Sequence, residues 1–504
     1  MNGTAYTEFS RDGSGWFFGL TGPQLTLLAV TGLPELAALN ARNWPLVLGW
    51  APAWALLAVL VVVPVRGRPA ARWLLDLALH ATGGAMGWNT WQSRAAAGIA
   101  DDLDEADLPG VLAGVRVHDG PPHGHAMNRV AIVQDQAART WAAVARITHP
   151  GIGLAEPHDR DRMGAGLAEL CEVTSRTRTV ELFAIQVRTV PDDGAERSAW
   201  QAAHRRPGVP AVARQVNDLL GAVVTEAAVR TEAFVTVVAA EDRLARPARE
   251  YGGGIDGRAR VLYHALTEVE QRLRGAVGCT QVTWLDSPAL AVAIRTGFAP
   301  GDRAGLVAAG LTGHQDPRVA VGVPMAAAGP TRAVSEVRHY AHDAWVSVTD
   351  TILLPDQGAI LGALAPVFVP SAPGERRCVT VFYPTLPQAT ADRIIGREEM
   401  SASTGNALRA RAGLLTRARH RRATDRVAGM DDKLARGRAL VRPAAAACVT
   451  VPTTSPVAEA GGRLDASIRM AGFIPQRLDL AQDSGFAAAC VPLGIGLPRR
   501  RGRR

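Results

Sequence analysis

Lysine is nearly missing from this sequence: of its 55 basic residues 54 are arginine, and Lys433 is the one exception. Arginine-for-lysine usage of this kind fits the codon bias of a GC-rich genome, but it has a chemical consequence. A phosphate-binding loop needs glycines for close backbone approach, a lysine on the terminal phosphates and a Ser or Thr behind it for magnesium. Lys433 stands in "MDDKLARG", with no glycine directly before it and Leu434 behind it. A P-loop is therefore excluded, and an SxxK nucleophile is excluded with it, because Met430 occupies the serine position. No GxSxG elbow occurs. The five cysteines, Cys171, Cys279, Cys378, Cys448 and Cys490, form no CxxC, which argues against zinc and against a disulfide framework. Aromatic residues make up 5% and do not alternate with the arginine runs, which counts against a base-stacking platform.

What is present begins with apolar tracts. "GPQLTLLAVTGLPELAAL" (22–39) and "WPLVLGWAPAWALLAVLVVVP" (44–64) flank the tight turn "NARN". The second carries no charge and is long enough for a hydrocarbon layer of roughly 30 Å. Trp44, Trp50 and Trp54 crowd toward its start, where an aromatic belt sits. The first is weakened by Pro34 and Glu35. The pair predicts a two-helix transmembrane hairpin within residues 1–72. No basic segment precedes it as in a secretory signal. Arg66, Arg68 and Arg72 follow the second span and Arg11 precedes the first, so the positive-inside rule puts both termini in the cytoplasm and makes the protein multi-pass. "WLLDLALHATGGAMGWNTWQ" (73–92) reads as an interfacial or buried helix, within a linker to residue 130.

At 504 residues, with 47% hydrophobic and 20% charged residues and a net charge of +8, the chain also has room for a globular body. Alternation predicts strands at 140–148, 180–189, 233–240, 279–286, 344–354, 378–384 and 445–452. Helical patterns cover 159–173 and a charged arm at 391–437. "DSPALAVAIRTG" (286–297) has Asp286 or Ser287 as cap, Pro288 in the first turn and Gly297 at its end. "GGGIDG" (252–257) reads as a flexible loop. The order of elements lacks the βαβ rhythm and glycine fingerprint of a nucleotide-binding sheet. It predicts an α+β body of two related lobes, 131–300 and 338–497, joined by a connector at 301–337 and followed by a basic tail at 498–504.

Candidate chemistry is sparse. "HDGPPHGH" brings His118, His123 and His125 together in what reads as a solvated loop. "HYAHD" places His339 and His342 at a strand edge. The run from Arg417 to Arg422 and the tail "PRRRGRR" could meet phosphates.

The segment "DDKLARGRALVRPAAAACVTVPTTSPVAEAGGRLDASIRMAGFIPQRLDLAQDSGFAAACVPLG" (431–494) resembles the region just ahead of the motor in conjugation and type IV secretion ATPases. The likeness runs through a helix ending in "AGF" to a closing motif formed here by Gln482, Phe486, Pro492 and Gly494. The hairpin is similar to PrgI-like membrane subunits. Hairpin and body together, including "VRGRPAARWLLDL", "IQVRTVPDDGAER" and "HYAHDAWVSVTD", resemble an actinobacterial membrane-protein family of conjugation-type gene clusters. The resemblance implies a structural, non-enzymatic subunit without catalytic, cofactor or metal residues. It implies tethering of a separate motor ATPase beside other membrane subunits, at the cytosolic face of the cell membrane, and a homo-oligomer. The alternatives are a DNA-binding coupling protein using the arginine runs and a hydrolase using the histidine segments.

Overall fold

The computed structural model describes residues 5–6, 22–65, 68–124, 127–153, 155–177, 179–313, 316, 318–355, 358–411 and 418–496. They form two compact units, one built from the first seven residues with 90–394 and 431–504, the other from 8–89 and 395–430.

The second unit begins with α1 (Gly22–Asn40) and α2 (Trp44–Val62). They pair as a hairpin, the indoles of Trp50 and Trp54 donating to Thr31 O and Leu28 O at 3.2 Å each, and Gln24 Nε2 to Val61 O at 2.8 Å. Gly32 makes room for Trp54, whose Nε1 would lie 3.2 Å from an added Cβ. The turn is closed by Arg42 in the left-handed region, φ 54°, and by the Asn43 side chain, which accepts from Leu46 N. Among the described residues α2 alone is long and apolar enough to cross a membrane, with a mean hydropathy of 2.1. The two helices pair, but only α2 meets the length and apolarity of a span, so the two-span, multi-pass expectation is not supported. Glu35 and the in-helix Pro34 set α1 apart. Two-residue strands β2 (Pro64–Val65) and β3 (Arg68–Pro69) lead into α3 (Ala70–Ala85).

The first unit is organised by one mixed α+β design around a 13-stranded antiparallel sheet. Its strands are β4 (Thr90–Gln92), β5 (Val115–His123), β6 (Asn128–Asp135), β7 (Thr140–Thr148), β8 (Val180–Pro191), β9 (Val229–Ala240), β10 (Gln281–Trp284), β11 (Arg332–Ser335), β12 (Tyr340–His342), β13 (Trp345–Leu353), β15 (Arg376–Pro384), β16 (Ala444–Pro452) and β17 (Ile474–Arg477). A separate pair joins β1 (Ala5–Tyr6) to β14 (Ala359–Ile360). The helices are α4 (Pro157–Thr177), α5 (Ala195–His204), α6 (Ala211–Ala227), α7 (Glu241–Ala248), α8 (Gly254–Arg272), α9 (Ser287–Phe298), α10 (Arg303–Gly313), α11 (Ala365–Phe368), α14 (Val457–Met470) and α15 (Gln482–Cys490). Between β15 and β16 run α12 (Gln388–Arg411) and α13 (Ala418–Ala435), of which the end of α12 from Ile395 and the start of α13 up to Met430 belong to the other unit.

The topology is a duplication. The first half orders its strands β5-β6-β7-β9-β8, with β10 also on β7; the second orders them β11-β12-β13-β16-β15, with β17 also on β13. Each half places a helical pair between its two innermost strands, α5–α6 in one and α12–α13 in the other. Each also ends on a helix, α9 or α15, after its last short strand. The halves meet where β8 pairs antiparallel with β15, from Arg377 opposite Thr189 to Pro384 opposite Leu182. The two expected lobes thus share one sheet, because pairing of β8 with β15 satisfies the backbone N–H and C=O groups of the edge that each half would otherwise leave open.

Three cores follow. One face carries α9 and α15, with Ile294, Phe298 and Phe486 packed against Val144, Cys378 and Cys448 from both halves. The opposite face is covered over the first half by α4, α7 and α8, burying Leu170, Leu244 and Leu262 on Phe183 and Val237. Over the second half α14 buries Leu464 and Ile468 on Val348 and Val449.

Several local expectations shift. His118 and His123 lie in β5, not in a loop, because residues 115–123 pair with β6 across a register shift between Asp119 and Pro122. The glycines of "GGGIDG" turn the chain into α8 with positive φ at Gly252, Gly253 and Gly254, and the rest of the motif is helical. Asp286 caps α9 as expected, accepting from Ala289 N at 2.9 Å. Gly297 does not end that helix. It lies inside it, where a Cβ would come within 2.9 Å of Cys490 O and 3.1 Å of Arg188 Nη2. The connector contains α10 and β11.

Candidate functional site

The closing motif straps the two halves together. Gln482, fully buried, accepts from Thr349 N at 2.8 Å and donates to Thr349 O at 3.1 Å, so it bonds both backbone groups of one residue of β13. Phe486, four residues on and so on the same face of α15, packs against Phe298, Tyr340 and His342 with ring centroids 4.5–5.2 Å apart. The chain then crosses to the first half. Thr236 of β9 donates to Pro492 O at 3.0 Å, and Gly494 turns with φ 73° where a Cβ would fall 2.5 Å from Val238. All four residues therefore hold the frame: α15 is anchored on β13 and its tail on β9.

Beneath α9 and α15 lie two fully buried arginines. Helix C-termini expose carbonyls that need donors, and here the sheet supplies them. Arg188 of β8 donates to Ala293 O at 2.9 Å and Cys490 O at 2.5 Å. Arg376 of β15 donates to Thr296 O and Gly297 O at 2.9 and 2.7 Å, and to Thr450 Oγ1. Gln186 and Thr380 add bonds to Ala489 O. Glu232, 3.9 Å from Arg188, supplies a counter-charge. Three of the five cysteines, spread over more than a hundred residues of sequence, converge here. Cys378 and Cys448 are opposed across β15 and β16, and Cys490 is within reach of both. Burial opposes ionisation of Cys378, but Cys490 and the two guanidiniums bring it down to about 6. Sequence spacing could not show this convergence; only strand pairing produces it.

His342 Nε2 lies 2.8 Å from Ser347 Oγ, which lies 2.8 Å from Thr450 Oγ1. The spacing is that of a base and a hydroxyl nucleophile, yet His342 is 1% and Ser347 0% exposed. Burial, with Arg376 nearby, lowers the imidazole to about 3. The arrangement acts as a neutral hydrogen-bond relay leading to Arg376.

On the other face, Arg477 holds two carboxyls, Asp350 Oδ1 at 2.6 Å and Asp465 Oδ1 at 2.7 Å. Burial and the neighbouring Asp465 raise Asp350 to about 8. Because the folded value lies above the unfolded one, this group's contribution is complete below about pH 4 and is lost as pH rises through 8. The melting temperature of Asp350→Asn should therefore fall less than that of the unaltered protein between pH 6 and 9. Equal slopes in thermal unfolding would show that Asp350 is already ionised.

The remaining sequence candidates separate. His118 bonds Gln134 at 3.0 Å and stacks on Trp141, while His123 packs on Tyr263 at 4.3 Å. His125 lies outside the described residues. So do Arg66, the side chain of Arg68, the side chains of the Arg417–Arg422 run and the tail. Arg72 is paired with Asp76 at 3.5 Å, one helical turn on. Asp192, Asp193 and Glu196 have the spacing of a metal group. However, Asp193 and Glu196 are taken up by Arg303, whose Nη1 is 2.7 Å from Asp193. A surface groove of about 290 Å³, lined by Val173, Arg176, Glu268 and Arg272, holds none of these groups.

No protein-family model matches the chain, and no curated protein matches it.

Proposed function

We propose that this protein is a membrane-anchored, non-enzymatic structural subunit of a conjugation or type IV secretion-like machine. Its α+β body is read as the mount for a separate motor ATPase at the cytosolic face, alongside other membrane subunits. The observation that carries the membrane part is the surface of α2. Leu48, Trp50, Leu56, Val59 and Val62 are 41–72% exposed on an uncharged helix, and only Val47 and Val61 are buried. A helix apolar on all sides is stable only when something apolar surrounds it, and a hydrocarbon layer fits its 19 residues. In this reading α1 accompanies α2 as the second span, with Arg66, Arg68 and Arg72 at the cytoplasmic edge.

The mounting role draws on the resemblance of residues 431–494 and on Lys433 standing outside any phosphate-binding motif. Tethering raises a partner's effective concentration and fixes its orientation. The protein should stay with membranes through an alkaline carbonate wash and co-purify a conjugation-type ATPase. Deleting residues 22–64 should move it to the soluble fraction. Retention of that deletion on washed membranes would overturn the anchor, and ATP hydrolysis by the purified protein alone would overturn the mount.

A further inference from the structure

The helical pair between β8 and β9 is built inside out. A hairpin in water turns its apolar stripes inward and its charges outward. Here the ties between α5 and α6 are polar. Arg197 donates to Gly221 O and Thr225 Oγ1, and Arg205 to Asp218 Oδ1 at 2.8 Å. Gly221, Thr225 and Asp218 share one side of α6. On the opposite side Val212, Val216, Leu219 and Val223 recur at the helical period, with Leu220 and Val224 beside them. These six side chains are 44–71% exposed, and Trp200 of α5 is 63% exposed. Neither α5 nor α6 buries a single described residue.

We infer that α6 is a membrane-interface helix whose apolar stripe lies in the headgroup boundary of an anionic bilayer. From Val212 to Val224 the aliphatic strip is about 18 Å long, and Glu226, seven residues after Leu219, marks its end. Arg206 at the hairpin tip supplies a cation of the kind anionic headgroups attract, while Arg205 beside it is paired with Asp218. Trp200 is the kind of residue that settles at that depth. A second copy fits less well, because the stripe offers only about two heptads, too short for a self-sufficient helix pair. The inference rests on the membrane part of the preceding reading but not on its secretion part.

The native cysteines are all buried, so a single added surface cysteine can be labelled selectively in the full chain. Leu220→Cys, Arg214→Cys and Leu56→Cys would each carry an environment-sensitive fluorophore. The labelled proteins would be reconstituted in phosphatidylcholine vesicles with and without phosphatidylglycerol. The label at 220 should be quenched at least about twofold more by shallow doxyl lipids than the label at 214, more strongly with phosphatidylglycerol, and shielded from aqueous iodide. Equal iodide access at 220 and 214 would overturn the inference. So would shielding at 220 from both quenchers, whether with cross-linking between copies or without it. Position 56 separates the two claims: deep-doxyl quenching there with none at 220 leaves the anchor standing and rejects α6, whereas no quenching at 56 rejects the anchor.

Discussion

Arg188→Ala is expected to destabilise the fold by about 3–5 kcal/mol, the range for breaking a buried charged network by removing one partner. The side chain is fully buried, and its loss leaves Cys490 O without this donor and takes one donor from Ala293 O, which also accepts from Thr296 Oγ1, in a site water does not reach. It also leaves Glu232 with less compensation and opens a cavity under Phe234, over which the guanidinium sits at 4.8 Å. Arg188→Met should lose less, because its stem still fills the space that alanine leaves empty, while the lost donors and the effect on Glu232 are the same in both variants. Thermal unfolding in detergent measures both. If Arg188→Ala melts with the unaltered protein, the two helix C-termini do not depend on the sheet for their donors.

Phe486→Ala is expected to cost about 3–5 kcal/mol as well, through a different cause. The ring is 1% exposed and touches Phe298 of the first half and Tyr340 and His342 of the second. Truncation removes burial and leaves a cavity whose walls belong to separate elements, so collapse around it is limited. Phe486→Met should recover part of the loss. Since the ring bridges the halves, the Ala variant should also raise amide exchange in α9, which lies far from it in sequence. Loss of protection confined to α15 would mean that α15 does not couple them.

Much of the local structure was legible. Alternation located β7, β8, β9, β13, β15 and β16, because each is long and half or wholly covered. Asp286 marked the start of α9 through a bond that needs only local geometry. The motif Gln482, Phe486, Pro492 and Gly494 was legible as a pattern, but its meaning was not, since the partners Thr349, Thr236 and Val238 are supplied by distant strands. His118 and His123 looked like loop residues because two prolines and two glycines surround them. Pairing with β6 overrode that local preference.

The sequence by itself determined the apolar, uncharged character of α2 and the absence of a lysine-based phosphate site. Each of these depends on side chains a few residues apart. Only the tertiary structure decided that two similar halves fuse through β8 and β15. It alone brought Arg188, Arg376, Cys378, Cys448 and Cys490 into one buried cluster, and it alone turned the polar side of α6, not the apolar one, toward α5. The physical reason is common to all three. Strand pairing and helix packing join residues hundreds of positions apart, and burial then fixes which face of each element is satisfied from within and which remains for a partner.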